Sequence, residues 1–165
     1  MPDRTALAQQ VLDLLVARRQ TVAVAESLTG GLVCAALTDI PGASAVVRGG
    51  VVAYATDLKA ELLGVPRRLL DRFGAVHPDV AIAMAQGVRL RLGAAFSAAT
   101  TGVAGPEPQD GQPVGTVYVA VAWQGDTVVR TVALSGDRAA VRQGAVEASL
   151  GLLLDKLAER GEEKG

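Results

Sequence analysis

The stretch TVAVAESLTGG, Thr21 to Gly31, governs the choice of fold. Thr21 to Glu26 mixes β-branched and small residues, the composition of a short strand. Ser27-Leu28-Thr29-Gly30-Gly31 then interrupts the run, and a small-residue segment continues to about Thr38, where Pro41-Gly42 ends it. A strand that passes through a glycine loop into a helix is the opening unit of an α/β sheet. Ligands of such sheets gather outside the carboxyl ends of the strands.

The flanking sequence repeats this alternation. Upstream, Leu7, Val11, Leu14 and Leu15 fall at helical spacing, with Arg18 and Arg19 at the C-terminal end, where the helix dipole favours cations. Downstream, VVRGGVVAY (Val46 to Tyr54) predicts a second strand whose paired glycines imply a bulge or a close backbone approach. Two short helices follow, around Asp57 to Leu63 and Pro66 to Arg72. Pro78 to Leu92 has proline at its start and Ala81, Met84, Ala85 and Val88 on one face. GAAFSAATTG, ending at Gly102, reads as a buried strand leading to a glycine loop. GTVYVAVAW and DTVVRTVAL alternate around a Gln124-Gly125 hairpin turn. A long helix from about Asp137 to Glu159 carries Val141, Ala145, Ala148 and Leu152 on one stripe. Residues 160–165 read as a frayed charged tail. The expectation is an α/β fold: a three-layer α/β/α domain with a mixed sheet of about five strands, formed as one unit over residues 1–165.

Composition removes several function classes. Half of the 165 residues are apolar and a fifth charged, which excludes disorder; aromatics are 3%, so Ala, Val and Leu build the core. With 16 basic against 17 acidic residues, the chain lacks the cation excess of nonspecific nucleic-acid binders, and no strong nucleic-acid binding is expected. A single cysteine, Cys34, excludes an internal disulfide and a multi-cysteine zinc site, and a single histidine, His77, excludes two-histidine metal sites. MPDRTALAQQ is charged where a secretory signal needs an apolar run, and no stretch approaches the ~20 apolar residues of a membrane span. A reduced, cytoplasmic compartment with no membrane partner is the expectation.

Three small-residue loops gather candidate chemistry. Ser27 to Gly31 and Thr101-Gly102-Val103-Ala104-Gly105 follow strands, and Pro113 to Thr116 leads into one. Their backbone N–H groups suit a phosphate or an oxyanion, although a glycine loop alone also marks a tight turn. Ser135-Gly136-Asp137-Arg138 opens the last helix with Asp137 suited to its N-cap. Arg142 follows Arg138 by one turn, and a bound anion would offset the conflict of two arginines with the helix dipole. Ser27, at a strand-to-helix turn, is a nucleophile if a base lies within reach. Tyr54 and Lys59, five residues apart, can both aim inward, and a buried lysine loses its proton readily. A surface lysine and a half-buried tyrosine fit the same spacing. His77, before Pro78, reads as a helix-start residue and Cys34 as core.

In order along the chain, AESLTGG, GGVVAYATDLK, TTGVAGP, PVGTVYVA and SGDRAAVR resemble the CinA C-terminal domain family over about Leu7 to Leu157. That family includes nicotinamide-nucleotide amidohydrolases, or NMN deamidases. The resemblance implies a three-layer α/β/α fold and metal-independent hydrolysis of the carboxamide of nicotinamide mononucleotide, with no cofactor. It places the family serine on Ser27, the lysine on Lys59, the tyrosine on Tyr54 and the arginine of the last motif on Arg142. Leu28 stands where the family usually has Cys or another small residue. The chain resembles the stand-alone form, since it has no room for the additional N-terminal domain of the longer CinA proteins. PEPQDGQ, before Pro113, falls in a segment that varies in the family and receives no role.

The mechanism that follows has Ser27 attack the carboxamide while neutral Lys59 takes the hydroxyl proton, with Lys59 lowered by burial or by the Arg142 charge. N–H groups around Thr29, Gly30 and Gly31 would hold the oxyanion, and Tyr54 would assist proton transfer or orient Lys59. Thr101, Gly102, Ala104 and Gly105 would surround the nucleotide, with Arg142 the preferred anion partner and Arg138 second. A shallow site in a small domain is compatible with a homodimer. The alternative from another class is a nonenzymatic nucleotide-binding module linked to competence or DNA-damage proteins.

Overall fold

The computed structural model describes residues 3–162. Helix α1 (Arg4–Arg18) leads into β1 (Val22–Glu26), α2 (Leu32–Thr38) and β2 (Val47–Val52). Three helices follow, α3 (Thr56–Leu63), α4 (Arg67–Phe73) and α5 (Pro78–Leu92). Strands β3 (Phe96–Gly102), β4 (Thr116–Trp123) and β5 (Asp126–Ala133) precede the long α6 (Arg138–Glu162).

The five strands form one sheet in the order β2-β1-β3-β4-β5, with β1 parallel to both β2 and β3 and the remaining pairs antiparallel. Alternation along each strand divides the core into two layers. Val22, Val24, Phe96 and Ala98 face α1, α2 and α6, whereas Ala23, Ala25 and Ala99 face α3, α4 and α5. The chain leaves β1 for β2 on one side and returns past it to β3 on the other. Right-handed crossovers then put α2 and the α3–α5 group on opposite faces. The strand order reverses at β1, so the crevice at the carboxyl ends of β1 and β3 is where a ligand site belongs in such a sheet.

Both implications of the paired glycines are realised. The β1–β2 register shifts between Val22 and Ala23, opposite Val47 and Gly49. A Cβ on Gly50 would meet Val24 Cγ2 at 2.9 Å and Cys34 Sγ at 3.2 Å, so α2 packs on β2 only because that side chain is missing. His77 is a helix-start residue: its Nδ1 accepts the Asp79 N–H at 3.1 Å and its ring stacks on Phe73. Asp137 caps α6 by accepting the Ala140 N–H at 2.9 Å. Where fraying was expected from residue 160, the backbone stays helical through Glu162; residues 163–165 lie outside the described residues.

Candidate active site

The loop after β1 is stitched to the end of β3. Ser27 N–H donates to the Thr100 carbonyl at 3.1 Å, and the Thr29 and Thr100 hydroxyls hydrogen-bond each other at 2.8 Å. The N-terminus of α2 is already answered from within. Glu26, only 1% exposed, accepts the Val33 N–H at 2.8 Å and the Cys34 N–H at 3.0 Å. A carboxylate on the first free N–H groups satisfies both the orphan donors and the positive end of the dipole. Burial, and the same carboxylate, raise the Cys34 thiol above its ordinary value.

That geometry bears on the expected anion cradle. Gly30 N–H is spent on the Ser27 carbonyl at 3.0 Å, and Thr29 is fully buried with its hydroxyl on β3. Thr29, Gly30 and Gly31 all lie outside the pocket wall, whereas Ser27 and Leu28 are part of it. The N–H groups of Leu28 and Thr29 make no hydrogen bond among the described residues.

Lys59 and Leu63, one turn apart, form the inward stripe of α3, and Lys59 is 1% exposed. Its Nζ lies 2.9 Å from Ser27 Oγ, 2.7 Å from the Ala53 carbonyl and 3.3 Å from the Tyr54 carbonyl. A neutral amine has two N–H donors and one lone pair. As an ammonium Lys59 donates to all three; once neutral, with both N–H groups on the carbonyls, its lone pair is left for the Ser27 hydroxyl, whose proton it can accept. Burial lowers the Lys59 pKa from its ordinary 10.5 to about 8, and the Asp110 carboxylate opposes the drop. Burial therefore does the lowering that the sequence left open between burial and Arg142. At pH 7 roughly one such amine in eleven is neutral, against roughly one in three thousand for a lysine of ordinary pKa.

The Tyr54 side chain, by contrast, is 60% exposed and stands at the rim of the cleft. Its hydroxyl accepts from Arg138 Nη2 at 3.0 Å, and its link to Lys59 runs through the backbone carbonyl. Arg138 also donates to the Gly105 carbonyl at 2.6 Å. Arg142 donates from Nε to the Leu28 carbonyl at 2.9 Å and from Nη2 to the Thr29 carbonyl at 3.4 Å. Of the two arginines, Arg138 lies in the pocket wall, while Arg142, expected as the preferred anion partner, braces the Ser27 loop from behind.

The cleft in front of Ser27 measures about 120 Å³. Ser27, Tyr54, Thr101, Gly102, Ala104, Gly105 and Arg138 converge on it. Pockets that enclose a drug-sized ligand run to roughly 300–1,000 Å³, so this one admits the reacting end of a nucleotide and leaves the rest at the rim. Thr101 Oγ1 donates to the Ala75 carbonyl at 2.7 Å, which gives it a structural partner in the wall. No group of three His, Cys, Asp or Glu side chains is placed to hold a metal ion, and no helix is long and apolar enough to cross a membrane, among the described residues.

Sequence reasoning missed Glu26, Thr100 and Asp110. Glu26 stands directly before a glycine loop and a helix, which is a capping signal; Thr100 alternates with Thr101 along β3 and so faces the opposite side. Asp110 sits in the polar loop that received no role, two of whose residues, Glu107 and Gln109, line the cleft.

Comparison with known proteins agrees with this frame. Residues 4–157 match the CinA C-terminal domain. A CinA-like protein of Frankia casuarinae is 55% identical over 148 residues, 90% of this chain and 34% of that protein; a relative from Desulforamulus reducens is 48% identical over 148 residues. The chain spans about a third of the length of these curated relatives, 34% and 36%. Among solved structures, the competence damage-inducible protein A of Klebsiella pneumoniae superimposes with a TM-score of 0.92 at 34% identity, covering 95% of this chain and 98% of that one. The competence/damage inducible protein CihA of Agrobacterium tumefaciens gives 0.90 at 36% identity, covering 94% and 96%. A family match over nearly the whole length, joined to a shared three-layer fold, establishes that the chain belongs to the CinA C-terminal domain family.

Proposed function

We propose that this domain hydrolyses the carboxamide of nicotinamide mononucleotide to nicotinate mononucleotide and ammonia, with Ser27 as nucleophile and Lys59 as its base. The observation that carries the reading is the 2.9 Å contact between Ser27 Oγ and a buried Lys59 Nζ whose two other neighbours are carbonyls. The choice of substrate comes from the five motifs shared with the family.

The Ser27 hydroxyl oxygen attacks the carboxamide carbon as its proton passes to Lys59. The oxyanion meets the Leu28 N–H, a donor on the cleft wall that stands in for the expected set of Thr29, Gly30 and Gly31; one such donor is worth about 3 kcal/mol in the transition state. Collapse breaks the C–N bond as Lys59 returns the proton to the departing nitrogen, giving ammonia and an ester on Ser27. Water attacks the ester carbon as Lys59 takes its proton, and the C–O bond to Ser27 breaks as Lys59 returns that proton to the serine oxygen, freeing nicotinate mononucleotide. Arg138 and the Thr101–Gly105 loop take the nucleotide beyond the reacting end, with Tyr54 holding Arg138 at the rim. Arg142 keeps the Ser27 loop in place. No step calls for a metal or a cofactor. The small cleft fits an assembly in which a second copy completes the rim, and light scattering after size exclusion reads that homodimer.

The test is ammonia release from nicotinamide mononucleotide in the presence of EDTA, with Ser27→Ala alongside. Release by the native protein and at least a thousandfold less by the variant is the expected result. A fully active variant refutes covalent catalysis at Ser27. The names of the solved relatives, which speak of competence and damage, favour a second reading: a nonenzymatic nucleotide-binding module working with competence or DNA-damage proteins. Mononucleotide binding by calorimetry with no ammonia released decides for that module.

A further inference from the structure

We propose that Asp110 is a positioning residue for the Ser27–Lys59 pair, its carboxylate latching the loop from Glu107 to Gln112 onto the pocket wall that the pair faces; this rests on the reading of that pair as a catalytic unit. The loop is closed on itself by the reciprocal backbone bonds of Gln109 and Gln112, at 3.2 and 2.8 Å. Asp110 occupies its tip with a positive φ of 52°, and its Oδ2 accepts the Ala75 N–H at 2.9 Å. The seat is shaped for it. A Cβ on Gly74 would lie 2.3 Å from the Asp110 carboxyl carbon and 2.7 Å from both oxygens.

The backbone of Ala75 is therefore held at both its peptide groups, its N–H by Asp110 and its carbonyl by Thr101 of β3. Ala75 and Thr101 line the same cleft as Ser27, and so do Glu107 and Gln109 of the latched loop. Releasing Asp110 frees one wall of the cleft and the loop beside it together.

The second role is electrostatic. Lys59 meets Ser27 from the end of β1, the carbonyls of Ala53 and Tyr54 from the segment after β2, and Asp110 from the loop. Arg142 and Arg138 approach from α6, Glu107 lies in the cleft wall, and Asp57 and Glu61 of α3 itself are exposed. Among these, the Asp110 carboxylate is the charge that raises the proton affinity of Lys59 against the effect of burial. Its charge and the burial together set how much free amine is present to take the serine proton.

Two substitutions separate the roles. Asp110→Asn keeps an acceptor for the Ala75 N–H and removes the charge; Asp110→Ala removes both. The chain has three lysines, Lys59, Lys156 and Lys164, so Lys59 is readily followed by NMR of lysine labelled at Cε. In both variants the Lys59 midpoint, and the alkaline rise of kcat, move to lower pH. In Asp110→Ala alone, Ala75 amide exchange speeds up by about tenfold or more and the alkaline plateau of kcat falls. An unchanged Lys59 midpoint and unchanged Ala75 exchange in Asp110→Ala overturn the proposal even if the native protein releases ammonia. Movement of both signals in a protein that releases none upholds the latch and its field and refutes the reaction instead.

Discussion

Replacing Lys59 by methionine isolates the consequence of burying an amine beside Ser27. The side chain is 1% exposed, and its pKa falls from 10.5 to about 8 because burial disfavours the charged form. Below pH 8 both folded and unfolded chains carry the proton, and folding bears the cost of burying it. Between about pH 8 and 10.5 the folded chain has lost the proton and the unfolded chain has kept it, so stability rises with pH. At about 1.4 kcal/mol per pH unit, that window corresponds to about 3 kcal/mol, gained fully only above the unfolded value. Methionine has no proton to lose and shows none of this gain. It does leave Ser27 and the Ala53 and Tyr54 carbonyls without their partner, at a cost that does not change with pH and so cancels from the slope. The raised Cys34 thiol titrates in both proteins and cancels as well. Urea unfolding of both proteins at intervals from pH 7 to 10.5 therefore gives curves that diverge, the native protein gaining about 3 kcal/mol on the variant. In thermal melts the same divergence amounts to roughly 6–12 °C for a domain of this size. Parallel curves refute the claim that Lys59 is buried in a state that gives up its proton.

Other substitutions probe the scaffold and the two arginines. Glu26→Gln keeps one acceptor but loses the charge on the α2 N-terminus, and chemical denaturation is expected to show a loss of about 2 kcal/mol. Gly50→Ala places a methyl group 2.9 Å from Val24 Cγ2 and is expected to cost about 1–3 kcal/mol by the same assay. Arg138→Ala should raise KM for the mononucleotide about tenfold or more with little change in kcat, whereas Arg142→Ala should lower kcat by loosening the Ser27 loop. Steady-state kinetics on the two variants show the opposite split if the arginines have been assigned the wrong way round.

The fold was legible because local pattern and tertiary need agree in nearly every element. Pro78 begins α5, Gln124-Gly125 turns the hairpin, and the Gly49-Gly50 pair marks where β2 shifts register and admits α2. The end of α6 was not legible, since a charged, glycine-containing tail reads as frayed while the backbone continues helical through Glu162. Charged residues on an exposed final turn neither forbid nor require helix, so composition alone does not place that boundary.

The site divides along a different line, between residues whose roles depend on sequence neighbours and those whose roles depend on distant ones. Ser27 was readable because a strand, a serine and a glycine loop are contiguous. Lys59 was readable only as a choice, because a spacing of five from Tyr54 fits a surface amine as well as a buried one; its partner lies 32 residues away, and the sheet order alone joins them. The same spacing leaves Tyr54 equally open; its side chain reaches Arg138 at the rim while its carbonyl faces Lys59. Asp110 was illegible for the strongest reason. An acidic residue before glycine in a proline-rich loop has every local mark of a solvated turn, and only the bare backbone of Gly74, far back in the chain, opens a seat for its carboxylate. Polar residues that serve a site through long-range contacts obey no period and fill no local template. They become visible once the strand order has brought the loops together, which is why Ser27 and Lys59 were within reach of the sequence and Glu26, Thr100 and Asp110 were not.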